Sequence, residues 1–302
     1  MIRNINMLRE AAKLGEPGII AVAAAHDDVV IDAIVAARKE GLVTPILVGH
    51  VDKIRDLLCE FGEDPDTYEI IAGDEDTDCA AKAVALCAEG KADFLMKGII
   101  GTADIMRAVF KKDGGLRTGR LTSHVMLFQS AEADRFVLMT DGGLNTFPTL
   151  EQKVEILENA AMVLQALGYE KIYASCICGA ETVNPKIQST LDADALSKMT
   201  DRWAKYNMTV IGPVALDLAL SKEACHHKHF EAEGAGEADI ILMSSYEMGN
   251  GVYKSAALFG NIRSAGNIVG AKVPIVLVSR SDNADSKLSS IALGRVLAAK
   301  MK

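Results

Sequence analysis

GIIAVAAAHDDVVIDAIVAARKEGLVTPILVG, residues 18–49, is the stretch whose reading decides the fold. The apolar run at 18–25 does not alternate, as suits a strand covered on both faces. A helix follows from about Asp27 to Glu40, with apolar residues three and four apart. PILVG then reads as a second strand, ahead of a helical stretch from Val51 to Phe61. Strand, helix and strand in that order predict a βα alternation.

Outward from this unit the pattern repeats. YEIIAG, DFLMKG, SHVMLFQ, RFVLMTDGG, KIYASCICGA, MTVIGPVAL, ADIILMSS and VPIVLVSR are short apolar runs, most of them followed by a segment of helical period. The order predicts α/β architecture with parallel, doubly wound sheets. The clearest helix start is at Thr149 and Gln152, which have capping-box spacing before an apolar run to Leu167-Gly168. The 302 residues suit about two domains. No repeat of 20 to 50 residues and no Pro- or Ser-rich linker marks a boundary.

Composition narrows the function. With 49% hydrophobic residues, 24% charged residues and a net charge of -9, the chain is a globular protein unsuited to non-specific nucleic-acid binding. An anionic substrate then needs a local cluster of Arg or Lys. The charged N-terminal stretch lacks a signal-peptide pattern, and no run approaches 18 uncharged apolar residues, so a cytoplasmic protein with no membrane segment is expected. The six cysteines form no CxxC, and Cys176 and Cys178 alternate along a predicted strand, so buried free thiols are expected. His226, His227 and His229 lack i, i+4 pairing and a supporting carboxylate pattern, and no metal site is assigned to them. GxSxG, GxGxxG and GxxxxGK[ST] are all absent, which removes the usual markers of serine hydrolases, dinucleotide enzymes and P-loop enzymes.

Open α/β sheets bind ligands beyond the carboxyl ends of their strands, where helix N-termini present N–H groups to anions. Four loops hold candidates. In the first, Lys97-Gly98-Ile99-Ile100-Gly101-Thr102, Thr102 caps a helix that carries Arg107; an ordinary turn needing Gly98 and Gly101 for geometry is the alternative. The second, Gly114 to Arg120, offers Arg117 and Arg120 for bidentate phosphate contacts ahead of Ser123, or only surface arginines. The third, Asp141 to Thr149, contains Asn145 and has the composition of a plain turn into a capped helix. The fourth, Ser279-Arg280-Ser281-Asp282-Asn283-Ala284-Asp285-Ser286, combines hydroxyl, guanidinium and carboxylate at a helix head: an oxyanion donor, a phosphate cation and a general base. Its alternative is Asp282 as N-cap, with Asp285 favouring the helix dipole.

Taken together, MKGIIGTADIMRAV, GLRTGRLTSHV, DGGLNTFPTLEQKVEI, ETVNPKIQSTLDADALSKM, GPVALDLALSKEACHHK, GEADIILM, EMGNGVYKSA and SRSDNADSKLSSIAL resemble the phosphate acetyltransferase and phosphate butyryltransferase family, over nearly the whole chain. The LRTGxxxSHV, HHK and SRxD strings are more similar to the butyryl branch. The resemblance implies reversible transfer between butyryl-CoA and phosphate, giving butyryl phosphate and CoA, by direct transfer in a ternary complex. Acetyl or another short or branched acyl group is the nearer alternative, and a non-catalytic acyl-CoA or acyl-phosphate sensor the farther one. A metal-dependent decarboxylating dehydrogenase of similar fold needs an aspartate trio and a nicotinamide site, neither of which is found.

The resemblance further implies two doubly wound domains flanking a cleft, the first discontinuous: residues 1–129 plus 267–302, then 130–266. It implies Ser279, Arg280, Asp282 and Asp285 as the catalytic set, with Ser279 at the thioester and Arg280 balancing charge. Phosphate or coenzyme contacts fall to Arg107, Arg117, Lys97, Thr102, Ser123, Asn145, Asn250 and Lys254. No resident cofactor is implied, coenzyme A being a co-substrate, and the assembly is expected to be a homodimer or larger. One departure concerns the base: an aspartate seven residues beyond the serine in the acetyl enzymes is Ser286 here, leaving Asp282 and then Asp285 as substitutes.

Overall fold

The computed structural model describes residues 1–129, 135–278 and 282–301. In chain order its elements begin α1 (Ile5–Ala12), β1 (Gly18–Ala23), α2 (Asp28–Lys39), β2 (Val43–Gly49), α3 (Val51–Glu60), β3 (Glu69–Ala72), α4 (Asp76–Ala88), β4 (Phe94–Lys97) and α5 (Thr102–Val109). They continue with β5 (Ser123–Gln129), β6 (Val137–Thr140), α6 (Leu150–Ala166), β7 (Ile172–Ile177), α7 (Gln188–Ser197), α8 (Thr200–Ala204), β8 (Met208–Val214), α9 (Leu216–Leu220) and α10 (Lys222–His227). The last are β9 (Ile240–Leu242), α11 (Tyr246–Phe259), β10 (Arg263–Val269), β11 (Ile275–Val276) and α12 (Ala284–Met301). The α/β class expected from the alternation is the class observed.

The chain divides into two compact units: a terminal unit, Ile5–Arg120 with Ser264–Lys302, and a central unit, Met1–Asn4 with Leu121–Arg263. β5 falls in the central unit because it pairs with β6, whereas the expected boundaries placed it in the first domain.

In the terminal unit the strand order is β3-β2-β1-β4-β11-β10. β3, β2, β1, β4 and β11 are parallel, and β10 is antiparallel to β11. The order reverses direction between β1 and β4, which is the switch point of a doubly wound sheet. In the central unit the order is β5-β6-β9-β7-β8, parallel except for the antiparallel β5–β6 pair. The two antiparallel hairpins correct the expectation of wholly parallel sheets. The connections 130–136 and 270–274 are shorter than the dozen or so residues a parallel crossover requires.

Apart from β3, the two units share one strand arrangement. Each has a hairpin whose second strand lies parallel beside a strand introduced by Ala-Asp, β4 after Ala92-Asp93 and β9 after Ala238-Asp239. In each, that aspartate accepts a backbone N–H from the next strand: Asp93 from Ile19 at 2.9 Å, Asp239 from Tyr173 at 2.9 Å. The likeness does not show as a sequence repeat because the matching strands occur in a different chain order.

Local chemistry sets the helix starts. Asp27 caps α2 through Val30 N–H at 3.2 Å, and Thr149 with Gln152 forms the reciprocal capping box of α6. The core of the central unit gathers Met126, Phe128, Met139, Ile177, Val214, Leu218 and Tyr253. In the same unit Lys153 of α6 and Asp192 of α7 form a buried ion pair at 2.6 Å, with Gln188 donating to the second carboxylate oxygen. Among the described residues no helix is long and apolar enough to cross a membrane.

Candidate active site

At the carboxyl edge of the terminal sheet, strand exits follow one another in the order of the sheet: residues 73–75 after β3, 50 after β2, 24–27 after β1, 98–101 after β4 and 277–278 after β11. The β1 and β4 exits meet through backbone bonds, Gly98 N–H to Ala23 O at 2.8 Å and Ile99 N–H to Ala24 O at 3.0 Å. Only a glycine fits at 98. A Cβ there would collide with the carbonyl oxygens of Ala23 and Ala24.

Lys97 ends β4 and is 8% exposed; its ammonium donates to the carbonyls of Gly98 at 3.1 Å and Ile100 at 2.9 Å. It therefore shapes the loop it begins. Gly101, not Thr102, is the N-cap of α5, and Thr102 is the first helical residue with no side-chain cap bond made there. The short glycine leaves the first N–H groups of α5 uncovered by a side chain. Arg107, one turn on, pairs with Asp104 at 2.7 Å and stays 70% exposed.

The β11 exit carries the fourth loop. Ser279 and Arg280 lie outside the described residues. Beyond them Asn283, not Asp282, caps α12, accepting Ser286 N–H at 2.8 Å; both residue types cap well, so the sequence left the choice one residue loose. Asp282 is half-buried, and its carbonyl accepts from the Lys287 ammonium. Asp285 is held by Arg9 of α1 at 2.8 Å, and the same guanidinium reaches the Asp285 carbonyl and Ser289. The carboxylate thereby fastens α1 to α12. Asp285→Asn is expected to cost roughly 1 kcal/mol or less of stability, the pair being part-exposed, and to leave kcat within about twofold. Thermal unfolding and turnover measure both. Ser286 is buried, and its hydroxyl accepts from Ser264 at 3.1 Å.

Arg117 was expected to converge with Ser279 and Arg280, which lie outside the described residues. Its neighbour Leu116 bonds Val109 O and accepts from Lys272 N–H, both at 2.8 Å, and Thr118 Oγ1 donates to Gly270 O at 2.6 Å. The turn at 270–272 enters the N-terminal end of β11, whereas 277–278 follow its C-terminal end. The loop is thus attached at the opposite end of β11. The guanidinium is exposed and has no ion pair among the described residues.

Two residues at this edge escaped the sequence reading. His26 after β1 and His50 after β2 stack with centroids 4.1 Å apart and planes 3° from parallel. His50 N–H approaches His26 Nδ1 at 3.4 Å, and His50 Nε2 bonds the Asp74 carbonyl at 2.8 Å. Burial, then His50 and Lys53, push the His26 imidazole below its ordinary value. It is therefore neutral near pH 7. The only signal in the sequence was position, each being the first large polar side chain beyond its strand.

In the central unit the corresponding edge is built around Asp141, a buried carboxylate that accepts N–H from His124 at 2.9 Å, Gly143 and Leu144 at 2.8 Å, and the Asn145 amide at 2.7 Å. Asn145 also donates to Thr122 O, so its amide nitrogen serves the loop. Ser123 is fully buried and its hydroxyl accepts from Asn159 at 3.0 Å. That corrects its role as a ligand contact. Gly249 of α11 packs on Gly142 so closely that a Cβ on either meets the other's backbone, which sets half-buried Asn250 beside the Asp141 loop. Lys254 lies over the Tyr253 ring at 4.7 Å. A recess of about 670 Å³ opens at the opposite, strand-N-terminal edge. Its Arg135, Lys171 and Lys222 are paired with Asp239, Glu233 and Glu237, so it is not an open anion seat.

Three comparisons bear on this edge. A family described as phosphate acetyl/butaryl transferase matches residues 67–294. A phosphate butyryltransferase of Clostridium acetobutylicum is 42% identical over 298 residues, 99% of each chain, and a phosphate acetyltransferase of Thermotoga maritima is 37% identical, covering 92% of this chain and 95% of its own. Among solved structures, a branched-chain phosphotransacylase from Enterococcus faecalis V583 aligns with a TM-score of 0.82 at 30% identity, over 93% of this chain and 98% of that one.

Proposed function

The chain belongs to the phosphate acetyl/butyryl transferase family, and from that membership we propose that it moves a butyryl group reversibly between coenzyme A and inorganic phosphate. The 42% identity to a phosphate butyryltransferase along essentially the full length carries the reading. It is an acyltransferase, with acyl-CoA and phosphate on one side and acyl phosphate and CoA on the other. A cytoplasmic location and a homo-oligomeric state belong to the same reading.

The reaction joins two anions. A phosphate oxygen attacks the thioester carbonyl carbon, the C–O bond forms, the C–S bond breaks, and the sulfur leaves as thiolate. Such a transfer needs orientation and charge stabilisation more than a nucleophilic side chain. Ser279 hydrogen-bonds the thioester oxygen, Arg280 balances phosphate and transition-state charge, and Arg107, freed from Asp104, contributes to anion capture. The α5 N-terminus, with no side-chain cap bond, supplies N–H donors. Asp282 takes or returns the thiol proton, Asp285 being committed to Arg9.

Relatives named for butyryl, acetyl and branched-chain groups leave chain length as the open variable. Phosphate-dependent CoA release from C2 to C5 acyl-CoA substrates measures it. Butyryl-CoA is expected to exceed acetyl-CoA by about tenfold or more in kcat/KM, a methylene being worth about 1–3 kcal/mol in an apolar pocket. A highest value for acetyl-CoA would move the assignment to the acetyl branch, and no release with any substrate would leave a binding protein.

A further inference from the structure

Lys287 is the fourth residue of α12, counted from the Asn283 cap, and is 6% exposed. Among the described residues the one acceptor recorded for its ammonium is the Asp282 carbonyl, and it has no carboxylate partner. The position is unfavourable twice. A cation near a helix N-terminus opposes the macrodipole, and a buried ammonium without a counter-charge costs several kcal/mol. Positions that break local rules in this way are where function is expected.

The charged groups around it do not resolve the conflict. On its own turn, Asp285 is taken by Arg9 of α1, and Ser286 offers only a hydroxyl already bonded to Ser264. Asp282 presents its carbonyl. The ammonium of Lys97, at the end of adjacent β4, adds positive charge and is bonded to loop carbonyls. Asp28 and Asp32 of α2 are exposed. Among the described residues, no recorded carboxylate contact balances the ammonium beside the Asp282 carbonyl.

We propose that the Lys287 ammonium holds the sulfur of coenzyme A as its thiolate during acyl transfer. The inference rests on the acyltransferase reading above. A single ammonium on a residue only 6% exposed balances a monoanionic, polarisable sulfur better than a strongly hydrated phosphate dianion, and thiolates form beside lysine. Toward acyl-CoA, the thiol gives its proton to Asp282 or solvent, the thiolate attacks the acyl phosphate carbonyl, the C–S bond forms, and the C–O bond breaks with its electron pair leaving on phosphate. In the reverse direction the thiolate leaves toward Lys287 and is then reprotonated.

The test is the pH dependence of kcat/KM for CoA, with butyryl phosphate, in native protein, Lys287→Met and Lys287→Arg. An opposite charge at contact lowers a pKa by about 1–3 units. The native acid limb should therefore lie well below the ordinary thiol value of about 8.5, and Lys287→Met should move it up and cut the rate at pH 7 about a hundredfold. Lys287→Arg should retain most of the native profile. Inhibition by desulfo-CoA, which lacks the sulfur, should be equal in all three. An acid limb at the ordinary thiol value in the native enzyme would overturn the inference even if the variants failed to fold. So would a Lys287→Met enzyme with an unmoved profile and only a lower melting temperature, or one that loses desulfo-CoA binding in step with activity. Absence of any transfer by native protein would instead defeat the acyltransferase reading itself.

Discussion

Arg280→Ala is expected to lower kcat for butyryl transfer by about 10²–10³-fold, the 2.7–4 kcal/mol lost with one preorganised charge partner of a transition state. Two anions converge in this reaction, and the charge on the carbonyl oxygen grows as phosphate attacks, so a guanidinium at the β11 exit acts more strongly on the transition state than on either bound reactant. KM for phosphate should rise less than kcat falls. Arg280→Lys should recover only part of the rate, because a point charge does not reproduce the planar fork. Steady-state kinetics over both substrates measure this, and a variant of near-native kcat would remove Arg280 from the proposed mechanism.

Gly98→Ala should do comparable damage through the backbone. The added methyl would enter the space of the Ala23 and Ala24 carbonyls, where β1 and β4 exchange their last hydrogen bonds. A flexible side chain can move aside, but a strand end cannot. The switch point must open, at a cost of about 3 kcal/mol or more, and the α5 N-terminus shifts with it. Urea unfolding and turnover should both show the loss. Native stability and native rate in this variant would mean that the β1–β4 contact does not position the site.

Much of the fold was legible because parallel strands covered on both faces leave unbroken apolar runs, as in 18–25, and because the Thr149 to Gln152 capping box is a purely local device. What escaped depends on long-range order. Nothing within SHVMLFQ or VPIVLV says which neighbour runs antiparallel; that follows from the short connections at 130–136 and 270–274. The His26–His50 stack exists because β1 and β2 are adjacent and in register, a fact of pairing rather than of spacing. Arg117 read as a phosphate ligand from its glycine-rich surroundings, yet the bonds of Leu116 and Thr118 tie its loop to the other end of β11. Asp285 and Lys287 of α12 show the same limit. α12 is buried on nearly every side, so helical periodicity does not distinguish a carboxylate fastened by Arg9 from a lysine sealed beneath the preceding turn. Ser123 is a smaller case of the same kind, a hydroxyl turned inward to Asn159.

In the proposed reaction phosphate and the thioester react with each other while both are bound, without an acyl-enzyme. Incubating the protein with butyryl phosphate and isotopically labelled phosphate, with no coenzyme A present, tests it most directly. No label should enter butyryl phosphate until CoA is added, after which exchange should begin at a rate comparable to turnover. Label incorporated without CoA would contradict the claim, because the acyl group would then have been parked on the protein.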